Sequence, residues 1–113
     1  MRNQIDYIEF PASDLKRLRE FYECVFDWQF EDWGPEYMSF DDGRMKGGFH
    51  YMDNFIPAGR PLVVIYHPDL EKKLQHVEAA GGRIIAPIFA FPGGRRFHFA
   101  DPDGNMLAVW SDQ

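Results

Sequence analysis

Leu62-Val63-Val64-Ile65-Tyr66-His67-Pro68-Asp69-Leu70 is an apolar strand that runs straight into a helix start. Ile5-Asp6-Tyr7-Ile8-Glu9-Phe10-Pro11-Ala12-Ser13-Asp14-Leu15 makes the same statement earlier in the chain. Asp14 (or Ser13) and Asp69 are suited to cap free N–H groups at a helix start. After the first cap, Leu15, Leu18, Phe21, Tyr22 and Val25 recur at helical spacing. After the second, Leu70, Leu74 and Val77 do so, and Gly81-Gly82 stops the pattern. Each half then closes on an acidic glycine turn, Asp41-Asp42-Gly43 first and Asp101-Pro102-Asp103-Gly104 later.

Short strands fill the remainder. Trp28–Glu31, Tyr37–Phe40 and Met45–Tyr51 follow the first helix, and Arg83–Ala86, Arg95–Ala100 and Asn105–Trp110 follow the second. Pro11 is expected to end the opening strand, because proline donates nothing to a ladder. Asp53–Pro61 reads as a linker, and Pro87–Gly94 as a loop. The predicted class is α+β: two βαβββ modules, about 1–57 and 58–113, in a single domain spanning 1–113. Neither module can bury its helix and sheet faces alone. Two curved mixed sheets around a central cavity are the expected result.

At 113 residues with 45% hydrophobic content, the chain can bury a core without staples. Its 11 Phe exceed what one small core needs, so some are expected at a pocket or interface. The net charge of −6 argues against nucleic acid, whose phosphates demand a basic surface, and would attract cationic ligands weakly. The lone Cys24 excludes an internal disulfide and reads as a buried thiol. No apolar run approaches a membrane span, and the first residues lack a signal peptide's apolar stretch. A cytoplasmic location is expected.

With these stretches in place, the chain resembles the vicinal oxygen chelate superfamily, which includes glyoxalases, extradiol dioxygenases, and fosfomycin and bleomycin resistance proteins. The resemblance rests on Glu9–Leu15, Phe21-Tyr22, Val77-Glu78-Ala79-Ala80-Gly81-Gly82 and Phe99-Ala100-Asp101-Pro102-Asp103-Gly104-Asn105. The Glu-x-Pro-x-x-Asp opening is most similar to glyoxalase-related proteins of unassigned activity. The resemblance implies a divalent metal bound by His, Glu or Gln on the first and last strands of each half. Here the corresponding positions are Tyr7, Leu62 or Val63, Gly47 and Ala108. A phenol binds metal only when ionised, which in water needs a pH of about 10, and the others offer no donor. No metal ligand is therefore assigned.

Strand alternation then proposes a lining. If Ala108 faces the cavity, so do Met106 and Trp110. Repeat symmetry adds Met45, Gly47 and Phe49, and the closing hairpin adds Phe97 and Phe99, which turns His98 and His50 outward; a register slip of one would bring His98 into the pocket instead. Tyr7 and Glu9 share one face, and Glu9 there can act as a general base or meet a cation. The candidate ligand-binding set is Tyr7, Glu9, Met45, Phe49, Phe97, Phe99, Met106 and Trp110, with Trp33, Tyr37 and Phe89 at its edge. Glu9 and Tyr7 are the catalytic candidates. Arg95-Arg96 can hold an anion at the mouth, or simply end a strand in water.

Three functions follow. The first is a binding protein that holds a small molecule in an aromatic cavity without a metal, as the resemblance to bleomycin-resistance proteins implies. The second is a glyoxalase-like lyase or dioxygenase-type enzyme, with a divalent metal on non-standard ligands or with Glu9 as base. The third is a module that mainly pairs with another chain. A twofold homodimer is expected in each case.

Overall fold

The computed structural model describes residues 2–53 and 60–113. Its elements run β1 (Gln4–Ala12), α1 (Leu15–Phe26), β2 (Gln29–Asp32), β3 (Tyr37–Asp41), β4 (Lys46–Tyr51), β5 (Leu62–Tyr66), α2 (Leu70–Ala79), β6 (Arg83–Phe91), β7 (Gly94–Ala100) and β8 (Met106–Ser111). The fold is mixed α+β. The chain forms two compact units: residues 7–61, and residues 62–113 together with 1–6. The linker expected over Asp53–Pro61 lies largely outside the described residues.

Both helices begin where expected. Asp14 Oδ1 accepts the Arg17 N–H at 3.1 Å, and Asp69 Oδ1 accepts the Lys72 N–H at 3.1 Å. Each carboxylate satisfies a donor that the first turn leaves unpaired. Pro68 stands just outside the second cap. Asp27 ends α1 in the left-handed region, at φ 59°, with its N–H turned back to the Glu23 carbonyl.

In the 7–61 unit, β2, β3, β4 and β1 lie side by side in that order, with β1 parallel to β4 and the other pairs antiparallel. Ala12, Met38, Phe40 and Phe49 form the buried centre, packed by Phe10, Leu15, Leu18, Tyr22, Trp28 and Phe30. Here most of the surplus aromatics are used. Trp28 stacks on Phe40 at 4.5 Å and on Tyr22 at 4.6 Å, and Phe10 stacks on Phe49 at 5.4 Å. The stripe of α1 that meets the sheet is Leu15, Leu18 and Tyr22. Phe21 and Val25, expected beside it, are more than half exposed, as is Phe26, and Cys24 is exposed rather than buried. The apolar pattern of α1 is thus wider than the stripe the sheet covers. Pro11 does not end β1; it pairs with His50 one residue from the strand's end, where its missing N–H removes at most one ladder bond.

In the 62–113 unit the order is β5, β8, β7, β6, with β5 parallel to β8. Leu70, Phe97 and Val109 are its buried centre, with Leu74, Val77, Ile84, Ile88 and Phe99 around them. Each such buried side chain contributes roughly 1.5–3 kcal/mol relative to exposure. The loop expected over Pro87–Gly94 is mostly strand: β6 continues to Phe91, and only a tight turn at Pro92-Gly93 remains. Pro87 is tolerated because β6 is the outermost strand of this unit and its ladder shifts register on both sides of Ala86.

Candidate functional site

All eight strands belong to one sheet rather than the two expected, and within each unit alternation gives the strands one face toward the helix and one face away from it. In the 7–61 unit, Phe10 and Ala12 of β1, Met38 and Phe40 of β3, and Phe49 of β4 pack toward α1. Their neighbours therefore form the other face: Tyr7 and Glu9 from β1, Tyr37 and Ser39 from β3, and Lys46, Gly48 and His50 from β4. Register sets these side by side, because Glu9 and Ser39 both lie opposite Gly48, Tyr7 opposite Lys46, and Tyr37 opposite His50.

Gly48 builds the site. With no side chain there, the two phenols lean across β4, and the Tyr7 and Tyr37 hydroxyls meet at 2.5 Å. A methyl group at Gly48 would land on both hydroxyls. Burial, first, pushes the Tyr37 phenol far above its ordinary range; its bond to Tyr7 and the charge of nearby Glu9 push the same way. Tyr37 thus stays a neutral hydrogen-bond donor at every physiological pH. At the rim, the Trp33 indole N–H donates to Ser39 Oγ at 2.8 Å, and the rest of that ring is largely exposed.

In the 62–113 unit the helix-distal face carries Val64, Tyr66, Arg96, His98, Met106, Ala108 and Trp110, because Arg96 lies opposite Trp110 and His98 opposite Ala108. The Arg96 guanidinium sits 5.4 Å from the ring centres of both Phe89 and Phe91, and Phe89 is 5.6 Å from the His98 ring. Trp110 packs edge-on to Tyr66 at 5.3 Å, its indole N–H donates to Asp6 Oδ2 at 2.9 Å, and the Tyr66 hydroxyl donates to Asp112 at 2.7 Å.

These placements divide the expected lining. Tyr7 and Glu9 share a helix-distal face, and Tyr37, expected at the edge, is at its centre. Met106 and Trp110 lie on the helix-distal face of their own unit. Phe49 instead packs toward α1, and Phe97 and Phe99 pack toward α2. Met45 belongs to the β3–β4 turn, where its N–H is held by Asp42 Oδ1. Two parity errors account for this. Directly opposed residues of a hairpin share a face, so His98 accompanies Ala108 and Phe97 accompanies Val109. Counting from the turn glycines also misleads. Asp41 pairs with Lys46 around one turn, whereas Ala100 pairs with Met106 around a turn one residue longer. The residue matching Ala108 is Gly48, not Gly47, and a single-residue slip reverses every side chain. Gly47 faces the core, where a methyl group would strike the Phe40 ring. Arg95 is engaged by Glu71 of α2 in a paired bond at 2.6 and 3.3 Å.

Among the described residues no three His, Cys, Asp or Glu side chains converge closely enough to grip a metal ion. The mid-strand positions Gly48 and Ala108 bring no donor at all. The described side chains therefore do not fit a divalent metal centre.

The model of the Glyoxalase/Bleomycin resistance protein/Dioxygenase superfamily matches residues 4–109. The chain belongs to this superfamily. A glyoxylase-like domain-containing protein of Didymella fabae is 26% identical over 124 residues, covering 96% of this chain and 94% of the relative. Among solved structures, methylmalonyl-CoA epimerase from Mycobacterium tuberculosis is similar with a TM-score of 0.78 at 11% identity, over 95% of this chain and 86% of that one. The Mn(II)-bound glyoxalase from Novosphingobium aromaticivorans is similar with a TM-score of 0.71 at 21% identity, over 98% of this chain but 39% of that one. At these identities the structural likeness concerns the fold alone. No helix among the described residues is long and apolar enough to cross a membrane.

Proposed function

We propose that this superfamily member binds a small molecule on the face carrying Tyr7, Glu9 and Tyr37, held by hydrogen bonds and aromatic contact rather than through a metal ion. The observation that carries the reading is the phenol pair seated over Gly48. A glycine in mid-strand weakens a sheet unless something needs its space, and here two polar side chains use it. Glu9 supplies a carboxylate beside them, and with the chain's net charge of −6 it favours a ligand with a cationic or hydrogen-donating group. Trp33, exposed and pinned at one end by Ser39, offers a stacking surface at the rim.

The test is a ligand-observed NMR screen of cationic and neutral aromatic fragments against the intact protein. Hits that compete with one another and weaken at least tenfold in Tyr37→Phe support the reading. Hits unaffected by Tyr37→Phe, Tyr7→Phe and Glu9→Gln alike would sink it.

A second reading draws on one specific contact. Glu9 stands beside a phenol that stays protonated, and that pairing suits removal of a proton next to a carbonyl: the carboxylate takes the proton, and Tyr37 donates a hydrogen bond to the oxygen that gains charge. A lyase or isomerase of this kind would catalyse solvent-deuterium exchange into hemithioacetals or acyl thioesters. Exchange at the same rate in wild type and Glu9→Gln would remove this reading.

The chain is further proposed to pair with a second copy. Phe21, Val25 and Phe26 leave a broad apolar strip on α1 exposed, which supports pairing. Sedimentation as a monomer at micromolar concentration would contradict it. The exposed thiol of Cys24 suits a reducing compartment such as the cytoplasm.

A further inference from the structure

We propose that a cleft beside the start of α2, in the 62–113 unit, is a binding site for a phosphate-type dianion. The cleft has a volume of about 320 Å³, and Arg2, Lys72 and Lys73 line it together with His67, His76 and one acid, Asp69. Three permanent cations against one carboxylate leave an excess of two positive charges, in a chain whose total is −6. That excess matches a phosphate group, which carries about −1.5 to −2 near neutral pH.

The carboxylate present does not neutralise these cations through direct pairing. Asp69 Oδ1 is committed to the Lys72 backbone N–H as the helix cap. The cap also means that the helix start is already satisfied, so the side chains, not the first-turn amides, must provide recognition. Arg2 is brought to the cleft by a local constraint: Asn3 adopts a left-handed conformation, φ 63°, and its N–H donates to the Tyr66 carbonyl at 2.7 Å, one residue from His67.

His67 adds a ring to the same cleft. It is only 5% exposed, yet it lines the cleft. Its Nδ1 accepts the Asp69 N–H at 2.9 Å, so in the neutral ring the hydrogen is on Nε2. Among the described residues no group accepts from that Nε2–H. At a cleft walled by cations, an arriving anion can accept from that Nε2–H. The electrostatics agree. Burial, and then the charges of Lys73 and Arg2, hold the imidazole below its usual range, against the smaller opposing effect of Asp69. An arriving dianion would cancel most of that field.

The experiment is NMR titration of the intact chain at fixed ionic strength, with inorganic phosphate and glycerol 3-phosphate as soluble probes. Phosphatidic acid in phosphatidylcholine vesicles is the membrane-borne one. Saturable shifts at His67, Lys72 and Lys73, with the His67 titration midpoint moving up, are the expected result. The double variant Lys72→Gln, Lys73→Gln should weaken binding at least tenfold, whereas Arg83→Gln, outside the cleft, should not. Saturation by soluble probes marks a free phosphorylated ligand, and response to vesicles alone marks a lipid headgroup; both uphold the site. Shifts that rise linearly with added salt, match in the double variant, or leave the His67 midpoint unmoved would overturn it.

Discussion

Tyr37 reaches Tyr7 because Gly48, on the strand between them, has no side chain to obstruct the two rings. One missing methyl group therefore fixes a hydrogen bond between residues 30 positions apart in sequence. The glycine is a determinant of the site as much as the phenols are.

Gly48→Ala should separate the phenol pair and destabilise the unit by about 1–3 kcal/mol, the usual cost of overfilling a packed position. Chemical denaturation measures this. Gly43→Ala has open space around it but φ 95°, so its cost should be the smaller left-handed strain of about 1–2 kcal/mol. Equal stability of wild type and Gly48→Ala would mean that the pair tolerates displacement.

The raised Tyr37 phenol has a pH consequence. A group that holds its proton more tightly when folded stabilises the fold fully below its unfolded pKa of about 10, and that contribution declines as pH rises beyond it. Stability should therefore fall above pH ~10 in wild type and fall less steeply in Tyr37→Phe. Urea midpoints across that range, with phenolate absorbance, test the point. Parallel curves for the two proteins would contradict it.

His67 works at the opposite end. Its proton is held less tightly in the folded state, so its contribution is present above about pH 6.5 and lost as pH falls through the lowered folded value. In His67→Asn, where a side-chain oxygen can still take the Asp69 N–H, the acid-side decline should be shallower. Thermal midpoints between neutral and mildly acidic pH measure this.

Phe97 and Phe21 form a contrasting pair. Phe97 is fully buried against α2, so Phe97→Ala should cost about 3–5 kcal/mol. Phe21 is 51% exposed, and Phe21→Ala in the monomer should lie near ±0.5 kcal/mol. A neutral Phe97→Ala would instead favour a cavity-facing ring that no core depends on.

Much of this fold is legible in the residues. Asp14 and Asp69 announce both helices because a cap is a local interaction, decided within four residues. The strands around Gly43 and Gly104 follow from alternation and turn chemistry, which are equally local. The less legible features are non-local. Phe97 and His98 differ only by parity, and parity depends on which residues oppose each other across the hairpin. Gly47 and Gly48 are adjacent and chemically identical, so only the one-residue difference in turn length tells which faces the core. Tyr37 gave a usable signal: Tyr37-x-Ser39 alternates out of phase with the apolar Met38 and Phe40, which places both on the polar face. Pro87 was a poor guide, since a breaker in a central strand is harmless in an outermost one.

That outermost strand has a consequence beyond its own unit. β6 ends its row with a proline and two shifts of ladder register, so its unpaired backbone offers no straight run of donors and acceptors to a stranger's chain. Such an edge is a poor template for strand addition. On this side, at least, the exposed aromatic rings are not joined by a backbone ready to add strands.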